Sequence, residues 1–233
     1  MGTKNSPLLV VIACKIFQGL LEKHLPPQRV AQLTYLDYGL HSVPRKLRET
    51  VQEHLDALER PSLVTLGYGL CGNGLHGIKA RQHTLLLPRT DDCIGVLLGS
   101  YHAYREQFDA EPGTYYLSKG WLESGSNPLE EYKKYEEIYG PEQAAWLMDT
   151  QYKNYKRLAF VAHNLDDLEN FRPQAQDVAE YCQRWGMRYE EILGSDDYVR
   201  QLVEVAFTLD QAGEDFLVIP PGGEITQDQF LRL

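Results

Sequence analysis

Short apolar runs, separated again and again by helical patterns, constrain this chain more than any other feature. "LLVVIA" (8–13), "SLVTLG" (62–67), "HTLLLP" (83–88) and "RLAFVAH" (157–163) read as buried strands. "VAQLTYLDYGL" (30–40), "MRYEEILG" (187–194) and "DFLVIPPGG" (215–223) read as further strands. Between them, Phe17, Leu20, Leu21 and Leu25 recur at helical spacing. Val43, Leu47, Val51, Leu55 and Leu58 form one apolar stripe on a helix capped by Ser42, with Pro44 in its first turn. "TDDC" opens a helix carrying Ile94, Leu97, Leu98, Tyr101 and Tyr104. "FRPQAQDVAEYCQRWG" ends a helix at Gly186, and "DDYVRQLVEVAFTL" is another. Strand and helix in alternation predict a Rossmann-like α/β fold with a mainly parallel sheet and helices on both faces.

The middle of the chain has a different character. From Pro112 to Tyr155 it is rich in Tyr, Glu and Lys. "GWLESGSNP" reads as a loop, and "PLEEYKKYEEIYG" and "PEQAAWLMDTQYKNYKR" as helices. The expected organisation is an N-terminal α/β half (1–111), a helical insertion or lid (112–156) and a C-terminal α/β half (157–233), with one continuous domain as the alternative.

Charge and cysteine usage narrow the function. A net charge of −10 without a basic run argues against nucleic acid as a partner. The opening apolar run is too short for a membrane span and lacks a signal-peptide pattern. "MGTKNS" loosely fits N-myristoylation, through Gly2 and Ser6, although an ordinary N-terminus is the preferred reading. The four cysteines (Cys14, Cys71, Cys93 and Cys182) form no CxxC pair. Reduced thiols and a cytoplasmic location are therefore expected.

Three of these thiols follow strands. Cys14 follows "LLVVIA", Cys71 lies in "YGLCGNGLHG" after "SLVTLG", and Cys93 follows "HTLLLPRTDD". Ligands in open α/β sheets bind beyond the carboxyl ends of the strands. If the strands are parallel neighbours, the thiols converge there. The start of a helix lowers a thiol's pKa, which favours a thiolate at Cys93, although Asp91 and Asp92 oppose it. Gly69, Gly72, Asn73 and Gly74 form a candidate backbone nest for a thiolate, a cluster sulfide or a substrate carboxylate.

Three dispersed thiolates suit a [4Fe–4S] cluster with one open iron, or Zn²⁺ with an open position. His41 and His76 are possible additional ligands. A thiol site without metal and simple core packing are the other readings, and core packing is the one expected for Cys182. Arg89, Asp91 and His163 are catalytic candidates, each at a strand end. No GxGxxG or Walker loop stands in the required context, so no dinucleotide or nucleoside triphosphate is expected.

"IACKIF", "YGLCGNGLHG", "PRTDDCIGVLLGS", "PGTYYLSKGWLE" and "VIPPGGE", in that order, carry a resemblance to the family known as DUF1638, a domain of unknown function. Members of that family look like companions of corrinoid-dependent methyl-transfer systems, which implies a role in one-carbon metabolism. The cysteine arrangement is also similar in logic to quinolinate synthase and the diphthamide synthase subunits, which hold an iron–sulfur cluster on one cysteine from each of three α/β units. Here all three cysteines lie within the first 93 residues, a departure from that pattern.

The leading expectation is a metalloenzyme with iron–sulfur favoured over zinc. Its substrate would be a small polar or anionic metabolite held by Arg89 and the nest. A zinc-dependent methyltransferase acting on a thiol or a corrinoid is one alternative. The other is a non-catalytic accessory or metal-delivery module that docks on a corrinoid protein or methyltransferase.

Overall fold

The structure, a computed structural model, describes residues 8–232; the Gly2 and Ser6 pattern lies outside them. In chain order the elements are β1 (Leu9–Cys14), α1 (Gln18–His24), β2 (Val30–Leu36), α2 (Pro44–Asp56), β3 (Leu63–Gly67) and β4 (Thr84–Pro88). Then come α3 (Cys93–Leu97), α4 (Tyr101–Ala110), β5 (Thr114–Ser118), α5 (Lys119–Ser124), α6 (Pro128–Tyr139) and α7 (Pro141–Tyr152). The last are β6 (Arg157–Ala162), α8 (Leu165–Cys182), β7 (Arg188–Leu193), α9 (Asp197–Val205) and β8 (Phe216–Ile219). Among the described residues, no helix is long and apolar enough to cross a membrane.

The chain forms two compact units, and their boundaries differ from those expected. One unit takes the chain up to Tyr101 and resumes at Asp196; the other is His102–Ser195. The C-terminal stretch does not continue the second sheet as expected. It returns to the first, where β8 pairs antiparallel with β4.

In the first unit the strand order is β2-β1-β3-β4-β8, and β2, β1, β3 and β4 run parallel. β1 is buried at all six positions, as a central parallel strand covered on both faces must be. The chain leaves β1 for β2 on one side, then crosses back to β3 on the other. The order therefore reverses between β1 and β3, which makes their carboxyl ends a topological switch point. Leu47, Val51 and Leu55 give α2 its buried stripe, as their spacing of four predicts. Its N-cap is Val43 and not Ser42, which belongs to a preceding 3-10 turn at Tyr38–Ser42.

The second unit carries the parallel sheet β5-β6-β7. Its core gathers Leu117, Met148, Phe160, Val178 and Cys182, with Tyr152, Tyr181 and Trp185 packed ring against ring. Cys182 is fully buried there, the packing role expected of it. The "insertion" is thus not purely helical. "TYYLS" forms β5, and the expected loop at "GWLESGSNP" contains α5, stopped by Gly125 in the left-handed conformation. The helix opened by "TDDC" ends at Leu97. Gly99, at φ +92°, breaks it before α4 begins.

Candidate thiol site at the carboxyl edge of the first sheet

Cys14 is the last residue of β1, and Ala13 stands opposite Gly67 in the parallel register. Cys14 closes β1 one residue beyond this pair, and Tyr68 is the first residue after β3. The strands approach closely at this point: a Cβ on Gly67 would lie 2.5 Å from that of Ala13. β3 lies between β1 and β4, so the connections bearing Cys14, Cys71 and Cys93 leave three neighbouring strands.

The glycine-rich loop is fastened to the connection after β4. Leu70 N–H donates to Thr90 O and Cys71 N–H to Asp91 O, each at 2.9 Å. Gly69 permits this contact, because a Cβ there would come within 2.6 Å of the Asp92 backbone. Cys71, Gly72 and Asn73 then run consecutively left-handed, at φ +50°, +60° and +68°. For the two non-glycine residues this costs on the order of 1–3 kcal/mol each. The turn closes through Gly74 N–H to Cys71 O at 3.0 Å and His76 N–H to Asn73 O at 3.2 Å. Gly74 lets Leu47 pack against it, since a Cβ would meet Leu47 Cδ2 at 2.6 Å.

The backbone also reaches the sulfurs. Gly69 and Cys93 N–H groups donate to the Cys71 thiol, and Ile16 N–H donates to that of Cys14. Burial outweighs these donors. It raises the Cys14 thiol to about 11, with Asp37 adding to the rise. Burial also raises Cys71, followed by the charges of Asp92 and Cys14. It lifts Cys93 well above its ordinary value, reinforced by Cys71, Asp92 and Cys14. The expectation of a thiolate at Cys93 is therefore corrected. α3 is only five residues long, and desolvation exceeds what so short a dipole supplies. Asp92 caps α3 by accepting from Ile94 N–H at 2.8 Å, and burial raises its carboxyl too.

Sequence reasoning missed Tyr68. Its ring is 2% exposed, and its buried hydroxyl has no hydrogen-bond partner. Burial raises its pKa, as do Cys14, Cys71 and Asp37. An orphaned buried hydroxyl costs about 1–3 kcal/mol. The available signal was its position, an aromatic residue directly after a strand whose neighbour ends in a cysteine.

The other candidates fall variously. Arg89 donates from Nε to Gln229 O at 2.8 Å and from its terminal nitrogen to Leu231 O, so it fastens the C-terminal segment. Asp91 is exposed and contributes its carbonyl to Cys71. His41 is exposed in the 3-10 turn, its Nδ1 2.6 Å from Tyr38 O. His76 Nδ1 accepts from Gln227 N–H at 3.3 Å. Of the nest residues, Gly69 serves the Cys71 sulfur, Gly74 closes the turn, and Gly72 and Asn73 are exposed. His163 follows β6 in the second unit. Among the described residues, no three His, Cys, Asp or Glu side chains are gathered so as to hold a single metal ion.

Fold and site together define an α/β protein with two buried thiols and one half-buried thiol beyond the carboxyl ends of three neighbouring parallel strands. The chain belongs to the family described as protein of unknown function (DUF1638), which matches residues 35–203 of the 233. The matched stretch holds Tyr68, Cys71 and Cys93; Cys14 and β8 lie outside it. Comparison with curated proteins and with solved structures matches nothing.

Proposed function

We propose that Cys14, Cys71 and Cys93 hold a metal centre, a [4Fe–4S] cluster in preference to zinc, through which the protein acts on a small polar metabolite. One observation carries this reading. Cys14 and Cys71, both buried, and Cys93, half-buried, follow three neighbouring strands of one sheet, and the charges acting on them from outside the set are acidic, from Asp37 and Asp92. Such a pocket stabilises a cation and repels an anion. Thiols raised this far are poor nucleophiles alone, whereas a bound metal holds them as thiolates.

The donor set and the surroundings of the sulfurs fit a cluster. Backbone N–H groups directed at Cys71 and Cys14 are the kind of contact that tunes an iron–sulfur centre. Bonds of about 2.3 Å bring the thiolates of one tetrahedral zinc to roughly 3.8 Å from each other. In a cluster each cysteine takes a different iron, so a wider spacing of ligands suffices.

A cluster with three protein ligands supplies an open iron that binds and polarises a substrate. The chain's own part is to hold Cys71 through Gly69 and Cys93, to hold Cys14 through Ile16, and to exclude water by burial. Arg89 is not the substrate's anchor, because its guanidinium is engaged with Gln229 and Leu231. Metal uptake must displace thiol protons, so it strengthens as pH rises.

The family resemblance adds a corrinoid protein or methyltransferase as partner, and hence one-carbon metabolism. Free cysteines throughout the described residues accord with a reducing, cytoplasmic compartment. The test is anaerobic purification, with iron, zinc and acid-labile sulfide measured for wild type and Cys71→Ser. Near-stoichiometric iron and sulfide in wild type, lost in the variant, are expected. Zinc alone, lost in the variant, would replace the cluster with a zinc centre acting in thiol or corrinoid methyl transfer. Metal-free protein in both would overturn the metal reading.

A further inference from the structure

We infer that β2 is the seam of a homodimer: two copies of this chain join edge to edge through Val30–Leu36, antiparallel about a two-fold axis at Leu33. The contact belongs to the first unit and holds whether or not the thiols bind a metal. β2 ends the sheet order β2-β1-β3-β4-β8, so one side of the strand pairs with β1 and the other faces outward. Among the described residues, no backbone hydrogen bond joins 31–36 to anything beyond β1. Ala31, Gln32 and Leu33 are exposed in succession. A register shift sets Ala31 apart, and Gln32 to Leu36 then run regularly along β1.

A free strand edge invites another strand, and proteins guard such edges with charge, proline or cover. The other edges of this chain are guarded. β7 carries Arg188, Glu190 and Glu191, and β8 is four residues long and runs into Pro220 and Pro221. β5 is buried at three of its five positions. β2 has no charged residue and no proline.

The sequence about Leu33 is complementary to itself. In an antiparallel pair centred there, Leu33 meets its own copy, Gln32 faces Thr34, Ala31 faces Tyr35 and Val30 faces Leu36. Amide meets hydroxyl, and a small residue meets an aromatic one. Arg29 and Asp37 flank the strand, one on each side of the centre. The two-fold axis brings each Arg29 toward the partner's Asp37. The rung skipped at Ala31 shifts Arg29 by about 3.3 Å, an offset that its long side chain spans. The Arg29 guanidinium rests on the Phe207 ring at 4.2 Å, and its buried Nε has no hydrogen-bond partner. Asp37 is exposed and accepts from Gly39 N–H at 2.8 Å. Among the described residues, neither charge forms an ion pair within its own chain. At a net charge of −10 two copies repel in most orientations. A contact with an uncharged centre and opposite charges matched at its ends is one that self-association can use. Leu25, Pro27, Val30 and Leu33 line an open groove of about 400 Å³ beside the strand, apolar surface for the second copy to cover.

The test is sedimentation equilibrium of the full-length chain at up to about 100 μM, where a dimer of micromolar Kd is populated. Wild type should be dimeric. Leu33 is 37% exposed, so Leu33→Lys and Leu33→Glu should each keep the circular dichroism of wild type. Each places like charges across the axis and should lose the dimer. Mixed in equal amounts, the two variants should regain it, because lysine then faces glutamate. A monomeric wild type, or one that forms larger assemblies, would overturn the inference. A dimer that survives both substitutions would place the interface elsewhere and overturn it too. A mixture that stays monomeric would show that residue 33 does not face its own copy, and the seam at β2 would fall with it.

Discussion

Glycine does two different jobs in this chain, and only one of them touches the site. Gly69 is pressed against the Asp92 backbone, and its N–H is directed at the Cys71 sulfur. An added methyl there meets carbonyl carbon and oxygen at 2.6 Å, atoms that a side-chain rotation cannot move aside. Gly19 lies within α1 with nothing inside 4 Å of an added Cβ. Gly69→Ala should therefore destabilise by about 1–3 kcal/mol. It should also lower metal content, because relief of the clash separates Cys71 from Cys93. Gly19→Ala should stabilise, by up to about 1 kcal/mol, through helix propensity alone. Thermal melts of the two variants, with iron measured on each, check both signs. Equal stability for the pair would mean that the loop yields around Gly69, and that the tight contact with Asp92 is not what positions Cys71.

The arrangement of strands, more than any local motif, gathers the site. "LLVVIA", "SLVTLG" and "HTLLLP" were legible as β1, β3 and β4 because continuous apolar runs of that length suit strands buried on both faces. Their order was not legible, since a parallel crossover leaves no local trace of which side of β1 the chain takes. The loop glycines could be read as a site, but the orphaned hydroxyl of Tyr68 could not, since it depends on what surrounds it in three dimensions. β5 escaped notice because Tyr115 and Tyr116 sit in a Tyr-rich context that continues into helices, although aromatic residues favour strands. The split after Cys93 was signalled by Gly99, yet a glycine inside a helical pattern is often tolerated. The join between α1 and the start of α9 was equally hidden. Asp196 Oδ2 lies 2.5 Å from Lys23 Nζ and 2.7 Å from His24 Nε2. Hydrogen bonds from Lys23 and His24 hold its carboxyl at about 2 in the folded protein. A depressed acid contributes stability that is fully present above its unfolded value, near 3.8, and is lost as pH falls through 2. With Lys23 largely exposed, that contribution is on the order of 1–2 kcal/mol. Asp196→Asn should melt below wild type at pH 6, and the gap should close between pH 4 and pH 2. A gap independent of pH would assign the effect to packing.

Chain order and compact units do not coincide. The first unit is built from both ends of the chain: β8 closes the far edge of its sheet beside β4, and Arg89 fastens the backbone of Gln229 and Leu231. The second unit is a single stretch, His102–Ser195, with its own parallel sheet and core. Its most deeply buried charge is satisfied from within. Arg157 donates to Thr114 Oγ1 at 2.8 Å, to Glu190 at 3.1 Å and to Gln107 O at 3.2 Å. A buried arginine left without such partners would cost several kcal/mol, so their presence in the same stretch favours independent folding. Residues 102–195 expressed alone should therefore melt cooperatively, with the near-ultraviolet dichroism of an ordered Tyr152–Tyr181–Trp185 cluster. The fragment contains Cys182, which burial raises to about 12, and none of the three thiols assigned to the site. Under the reconstitution that loads the intact protein it should take up no iron. A fragment that folds and binds iron would move the metal centre away from Cys14, Cys71 and Cys93. A fragment that does not fold would show that its parallel sheet needs the rest of the chain, and that the two units are one cooperative body.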